Sequence, residues 1–154
     1  MHPEDSAEWT DPGITYEEIP REECIRLLGT QLIGRVAVAD FNAPPLVVPV
    51  NFVLDGDAVV FRTDYGSKFR LAVLREAPMS FQIDGLDPGQ RTGWSVLLQG
   101  PATELPEDAA RGLRLAPFAP GRKAHWVRIE PQSITGRRIR LSESRPWTDG
   151  RGYL

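Results

Sequence analysis

Cys24 is the only cysteine in the 154 residues, and His2 and His125 are the only histidines. A lone thiol excludes an intramolecular disulfide, and so few soft ligands give no zinc-binding spacing, so no metal site is expected. A Cys–His nucleophilic pair also starts from poor material, and Cys24 reads as a buried structural thiol. No apolar run approaches the roughly 20 residues that cross a bilayer, and the start Met1-His2-Pro3-Glu4-Asp5 is too acidic and polar for a secretory leader. The expected compartment is the cytoplasm. Basic charge is in deficit, with 18 Lys and Arg against 21 Asp and Glu for a net charge of -3, which argues against nucleic acid and membrane surfaces as partners. The Gly-x-x-x-x-Gly-Lys and Gly-x-Gly-x-x-Gly phosphate loops are missing as well.

Turn formers are plentiful. The 14 glycines and 14 prolines punctuate short runs of Val, Ile, Leu and Phe, which is the spacing of strands and turns. Strands are predicted over Ile33 to Ala39, Leu46 to Leu54, Ala58 to Thr63, Pro78 to Asp84, Gly93 to Gln99, Ala124 to Glu130 and Ile134 to Leu141. Asp55-Gly56-Asp57 reads as a tight hairpin between two of them. Helices are predicted with Pro20 at the first helical position, ending at Gly29 with Ile25, Leu27 and Leu28 as the buried stripe, from Ser67 to Leu74, and from Glu107 to Leu115. The fold class is therefore mostly β, a six- to seven-stranded split β-barrel with short helices, because closure removes exposed sheet edges. One domain over 17–141 is expected, with a loose arm at 1–16 and a polar tail at 142–154.

The segment Val60-Phe61-Arg62-Thr63-Asp64-Tyr65-Gly66-Ser67-Lys68 ends a strand, turns through glycine and opens a helix. Such a junction can bind an anion: first-turn N–H groups point outward, Thr63 and Ser67 offer hydroxyls, and Arg62 and Lys68 add full charge. The competing reading makes Ser67 a helix cap and the cations solvated surface groups. Arg137, Arg138 and Arg140 likewise form either a basic patch or a solvated face.

The order Gly34-Arg35-Val36-Ala37, Pro49-Val50-Asn51-Phe52, Phe61-Arg62-Thr63, Gly66-Ser67-Lys68, Gly93-Trp94-Ser95-Val96 and Gly136-Arg137-Arg138-Ile139 resembles the pyridoxamine 5'-phosphate oxidase-like FMN-binding split-barrel proteins, over roughly Tyr16 to Leu141. The resemblance implies a homodimer holding FMN at its interface, with the phosphate gripped by Arg62, Thr63, Ser67 and Lys68. It also implies that Pro49, Val50 and Asn51 run beside the flavin ring and that Trp94 and Ser95 line the site. A flavin pocket needs an apolar floor and a few polar groups at the ring edge, which Val50 and Asn51 can supply; the alternative makes Asn51 a turn-satisfied strand residue and Trp94 an ordinary core aromatic.

The implied function is an FMN-dependent oxidoreductase acting with a small-molecule electron donor or acceptor, its catalytic residues unnamed. F420-dependent and nitroimidazole reductases share this fold and are the alternatives, together with a non-catalytic flavin binder and a cofactor-free interaction barrel. The tail Ser144-Arg145-Pro146-Trp147-Thr148-Asp149-Gly150-Arg151-Gly152 does not match the basic and aromatic stretch that holds substrate phosphate in true pyridoxamine phosphate oxidases, which argues against vitamin B6 oxidation.

Overall fold

Alternation of small and branched apolar residues builds most of the described residues into strands. The computed structural model describes residues 14–39, 43–64, 67–90, 92–115 and 124–141. Eight strands and two helices follow one another as β1 (Ile14–Ile19), α1 (Arg21–Leu28), β2 (Ile33–Val38), β3 (Leu46–Asp55), β4 (Ala58–Thr63), α2 (Ser67–Leu74), β5 (Pro78–Asp87), β6 (Thr92–Leu105), β7 (His125–Ile129) and β8 (Ser133–Leu141). The strands pair in the order β1-β8-β6-β5-β2-β3-β4-β7, and a second pairing of β6 with β7 closes the last six into an antiparallel barrel. The expected split barrel is thus present, with β1 and β8 extending it beyond the closed ring.

Closure depends on two long strands that each change partner along their length. Leu46–Asn51 of β3 pairs with β2, and Phe52–Asp55 pairs with β4. On β6, Thr92–Gln99 lies between β5 and β8, whereas Ala102–Leu105 pairs with β7. The change of partner falls at Gly100-Pro101, where a Cβ on Gly100 would come within 1.7 Å of the Glu130 carbonyl oxygen. Only glycine lets these backbones approach so closely. The β3–β4 hairpin turns through Gly56 at φ 61, the positive angle that a primed two-residue turn needs at its first central position.

Inward positions of β2 to β7 form one core with Val36, Phe52, Phe61, Phe81, Ile83, Leu98, Val127 and Ile129, and α2 closes one side of it with Phe69, Ala72 and Val73. Phe52 and Phe81 meet edge to face at 4.6 Å between centroids, as do Phe61 and Phe69 at 6.2 Å. Helix α1 buries Cys24, Leu27 and Leu28; Ile25, expected in that stripe, is half-buried. Burial pushes the Cys24 thiol above its ordinary pKa, with the Glu23 carboxylate adding to the shift.

Three expectations need correction. Residues 14–16, read as the end of a loose arm, begin β1, whose six residues pair with β8 from Ile14↔Leu141 to Ile19↔Gly136. Residues 1–13 and 142–154 lie outside the described residues. The helix expected from Glu107 to Leu115 is a set of turns, with Ala110 N–H donating to Pro106 and Glu107, and Leu113 N–H to Ala110. Only Ala110 of that stretch is buried, so there is no apolar stripe to hold a helix against the barrel. Finally, Pro20 precedes the first helical residue of α1 rather than occupying it.

Candidate functional site

Where β4 ends and α2 begins, the alternation of the strand sorts the expected site residues onto two faces. Arg62 stands opposite Trp126 of β7, and Thr63 opposite His125. Phe61 points into the core, so Arg62 points outward. Its guanidinium carbon lies 4.9 Å from the centroid of the Trp126 ring, and its Nε is buried without a hydrogen-bond partner. Phe52 of β3 is registered with Phe61, so the preceding residue, Asn51, is the outward neighbour of Arg62 on the other side. Leu105 of β6 pairs with Trp126 and completes the row Asn51, Arg62, Trp126, Leu105.

The strand end and the helix start that flank the expected junction are both present. Ser67 and Lys68 are the first two residues of α2, whose first turn carries no acidic residue. Tyr65 and Gly66 lie outside the described residues. Thr63 is half-buried, and its hydroxyl donates to the Asp64 carbonyl at 3.4 Å. Asp64 Oδ1 accepts from the Ala124 N–H at 3.2 Å and ties the end of β4 to the start of β7.

The remaining expected residues do not all share a surface. Pro49 is exposed and Asn51 half-buried on the outward side of β3, with Asn51 donating through Nδ2 to the Leu32 carbonyl. Val50 faces the core. Trp94 is half-buried against that core, its ring lying across Gly85 so closely that a Cβ there would be 2.5 Å from it. Ser95 faces outward between Asp84 and Arg137. It lies three strand spacings, about 14 Å, from the β3 positions within this chain. Arg35 and Asp84, paired at 2.6 Å, occupy the outward surface between them.

Sequence reasoning missed Trp126. The signal was present in the alternation of His125-Trp126-Val127-Arg128-Ile129, which puts Trp126 and Arg128 on the face opposite Val127 and Ile129. A cavity of about 580 Å³ borders the same junction, lined by Asp64, Arg70, Val73, Leu74, Glu104 and His125, with His125 Nδ1 2.8 Å from Glu104 Oε1. The arginines of β8 are not an open basic patch. Glu17 and Glu18 of β1 stand opposite Arg138 and Arg137, Arg138 approaches Glu23 at 3.7 Å, and Arg140 approaches Glu17 at 3.6 Å. No helix among the described residues is long and apolar enough to cross a membrane.

Comparison with known proteins agrees with this architecture. The chain is 39% identical over 135 residues to the uncharacterized protein Rv0080 of Mycobacterium tuberculosis, covering 83% of this chain and 88% of that one. The solved structure of an FAD-binding protein from Mycobacterium smegmatis superposes with a TM-score of 0.67 at 32% identity, over 80% of this chain and 98% of the other. A conserved protein of unknown function from Corynebacterium diphtheriae gives a TM-score of 0.63 at 29% identity, over 79% and 96%. The family model for pyridoxamine 5'-phosphate oxidase matches residues 20–138, which span the barrel from the start of α1 into β8, and the chain belongs to that family.

Proposed function

We propose that this chain is an FMN-binding flavoprotein that holds the flavin phosphate at the β4–α2 junction through Arg62, Thr63, Ser67 and Lys68, and that it works as an FMN-dependent oxidoreductase on a small molecule. The observation that carries the reading is the state of Arg62. Three described arginines are half-buried, and two of them face carboxylates: Arg128 pairs with Asp55 and Glu130, and Arg138 with Glu23. Among the described residues Arg62 has only the indole ring, and its buried Nε has no acceptor. A partly desolvated cation without a counter-charge is costly unless an anion from outside the chain completes it.

The neighbouring residues fit a phosphate ester. A helix begins beside Arg62 with no acidic side chain in its first turn, so its free N–H groups and dipole favour negative charge. A bound flavin would supply electron or hydride transfer; the protein contributes binding, orientation and exclusion of water. Pro49, Val50 and Asn51 are the candidates for contact with the ring and Trp94 and Ser95 for the opposite wall. Because Ser95 is far from β3 in one chain, a second copy is the natural source of that wall. The outward sheet surface around Pro49 carries exposed Ile33 and Val47, apolar material suited to a homodimer interface. Cytoplasmic residence goes with this reading.

The 32% identical mycobacterial relative, named for binding FAD, supports a flavin as the ligand. Mass spectrometry of the cofactor released from protein purified from its native source tests the identity: FMN is expected, and FAD or F420 would replace it. Protein that arrives without cofactor and takes up none of the three on titration would overturn the reading.

A further inference from the structure

The outward row across four strands, Asn51, Arg62, Trp126 and Leu105, places one cation between a strand amide and an indole face. From this arrangement, and resting on the phosphate-binding reading above, we infer that Trp126 is a positioning residue that presets Arg62 for the phosphate without touching it. The guanidinium carbon lies 4.9 Å over the ring centroid, and this cation–π contact restrains rotamer freedom that an anion would otherwise have to freeze on binding. The contact consumes no N–H of the cation, so the terminal guanidinium N–H groups keep their capacity for a bidentate acceptor. An aromatic ring also attracts the charge without neutralising it, whereas the carboxylates beside Arg128 and Arg138 satisfy theirs internally. Trp126 therefore holds the cation in place while keeping it available.

A double-mutant cycle in the full chain tests this. FMN and riboflavin are titrated into cofactor-free wild type, Trp126→Leu, Trp126→Phe, Arg62→Ala and the Arg62→Ala/Trp126→Leu pair. Trp126→Leu should weaken FMN by about three- to tenfold and leave riboflavin unchanged, while Trp126→Phe, which keeps a π face, stays within about twofold of wild type. In the Arg62→Ala background the Trp126→Leu loss should vanish, because the indole then has no cation to hold. An undiminished loss in that background, an equal loss for riboflavin, or no loss for FMN overturns the inference. Arg62→Lys tests the same point with Trp126 intact. Lysine keeps the charge but presents no planar guanidinium, so FMN should weaken as with Trp126→Leu; wild-type affinity in Arg62→Lys would overturn the positioning role. Inorganic phosphate separates the two readings. If wild type binds phosphate but no flavin, the flavin reading fails while the same cycle, read with phosphate, still decides the clamp. If neither FMN nor phosphate binding depends on Arg62, the clamp is overturned too.

Discussion

The ring of Phe81 fills the space that Gly34 leaves: a Cβ built on Gly34 would sit 2.1 Å from Cζ of Phe81, with two more ring atoms inside 3.0 Å. Phe81 has no exposed surface and rests edge to face on Phe52, so it has nowhere to retreat. Gly34→Ala should therefore destabilise the barrel by about 1 to 3 kcal/mol through overpacking, read as a lower urea midpoint at unchanged slope. Adding Phe81→Leu to Gly34→Ala should recover part of that loss, a coupling that two independent sites would not show.

Glu76 is the one described non-glycine residue with positive φ, at 49. It follows α2, where the Ala77 N–H bonds the Ala72 carbonyl at 2.8 Å and the Glu76 N–H bonds the Val73 carbonyl at 3.1 Å, the pattern of a Schellman cap. Left-handed backbone costs an L-residue about 1 to 2 kcal/mol, and glycine gives back roughly half of the relief as chain entropy. Glu76→Gly should raise unfolding stability by about 0.5 to 1 kcal/mol in chemical denaturation. A fall in stability would mean that the exposed glutamate side chain makes up for the strained backbone.

The local parts of this fold were legible because their signals are local. Ala58 to Thr63 and Ser67 to Leu74 have their observed boundaries, since a glycine turn, a run of β-branched residues and a serine start each declare themselves within a few positions. The strand order and the way the barrel closes were not legible. Closure depends on β6 running through Gly100-Pro101, a pair that reads as a break, and on a register that only the partners Glu130 and Gln132 reveal. Strand β1 escaped because Thr15, Tyr16, Glu17 and Glu18 are all exposed, and its pairing partner is over 100 residues away in β8. At the proposed site, the cations Arg62 and Lys68 could be read as candidates from the strand–turn–helix junction. The alternation of β7 puts Trp126 outward, but its place beside Arg62 was not legible, because it comes from a sheet pairing.

Truncation tests the importance of β1. Deleting residues 1–18 removes five of the six residues that pair with β8 and uncovers a strand edge, while Arg137, Arg138 and Arg140 lose the facing glutamates Glu17 and Glu18. Such an edge is also a template for wrong pairing. The shortened protein should melt at lower temperature and aggregate more readily, as light scattering during thermal unfolding would show. Wild-type melting would make β1 an ornament of the fold.

The proposed homodimer has its own measurement. Val47 is 57% exposed on the outward face of β3, two residues from Pro49 and four from Asn51. A carboxylate there would be desolvated without a partner in any interface covering this face. Sedimentation equilibrium at micromolar concentration should show a dimer for wild type and a monomer for Val47→Asp, with FMN affinity falling in step. A wild-type monomer that still binds FMN would show that one chain suffices.

Lys68 gives the most direct reading of the phosphate. It is the second residue of α2, at the end of the helix where free N–H groups already favour an anion. A charge-assisted hydrogen bond from its ammonium is worth roughly 1.5 to 3 kcal/mol, so Lys68→Ala should weaken FMN by about one to two orders of magnitude. Riboflavin has the same ring and no phosphate, so its affinity should hardly change. Salt supplies a second axis: screening weakens wild-type FMN binding as ionic strength rises and changes the variant less, because one of the screened charges is gone. Calorimetric titration of both ligands into both proteins at two salt concentrations separates the outcomes. A loss shared equally by FMN and riboflavin would mean that Lys68 acts through the start of α2 and the core residues Phe69, Ala72 and Val73 behind it. A loss for neither ligand would remove Lys68 from the site and leave Arg62 as the principal cation there.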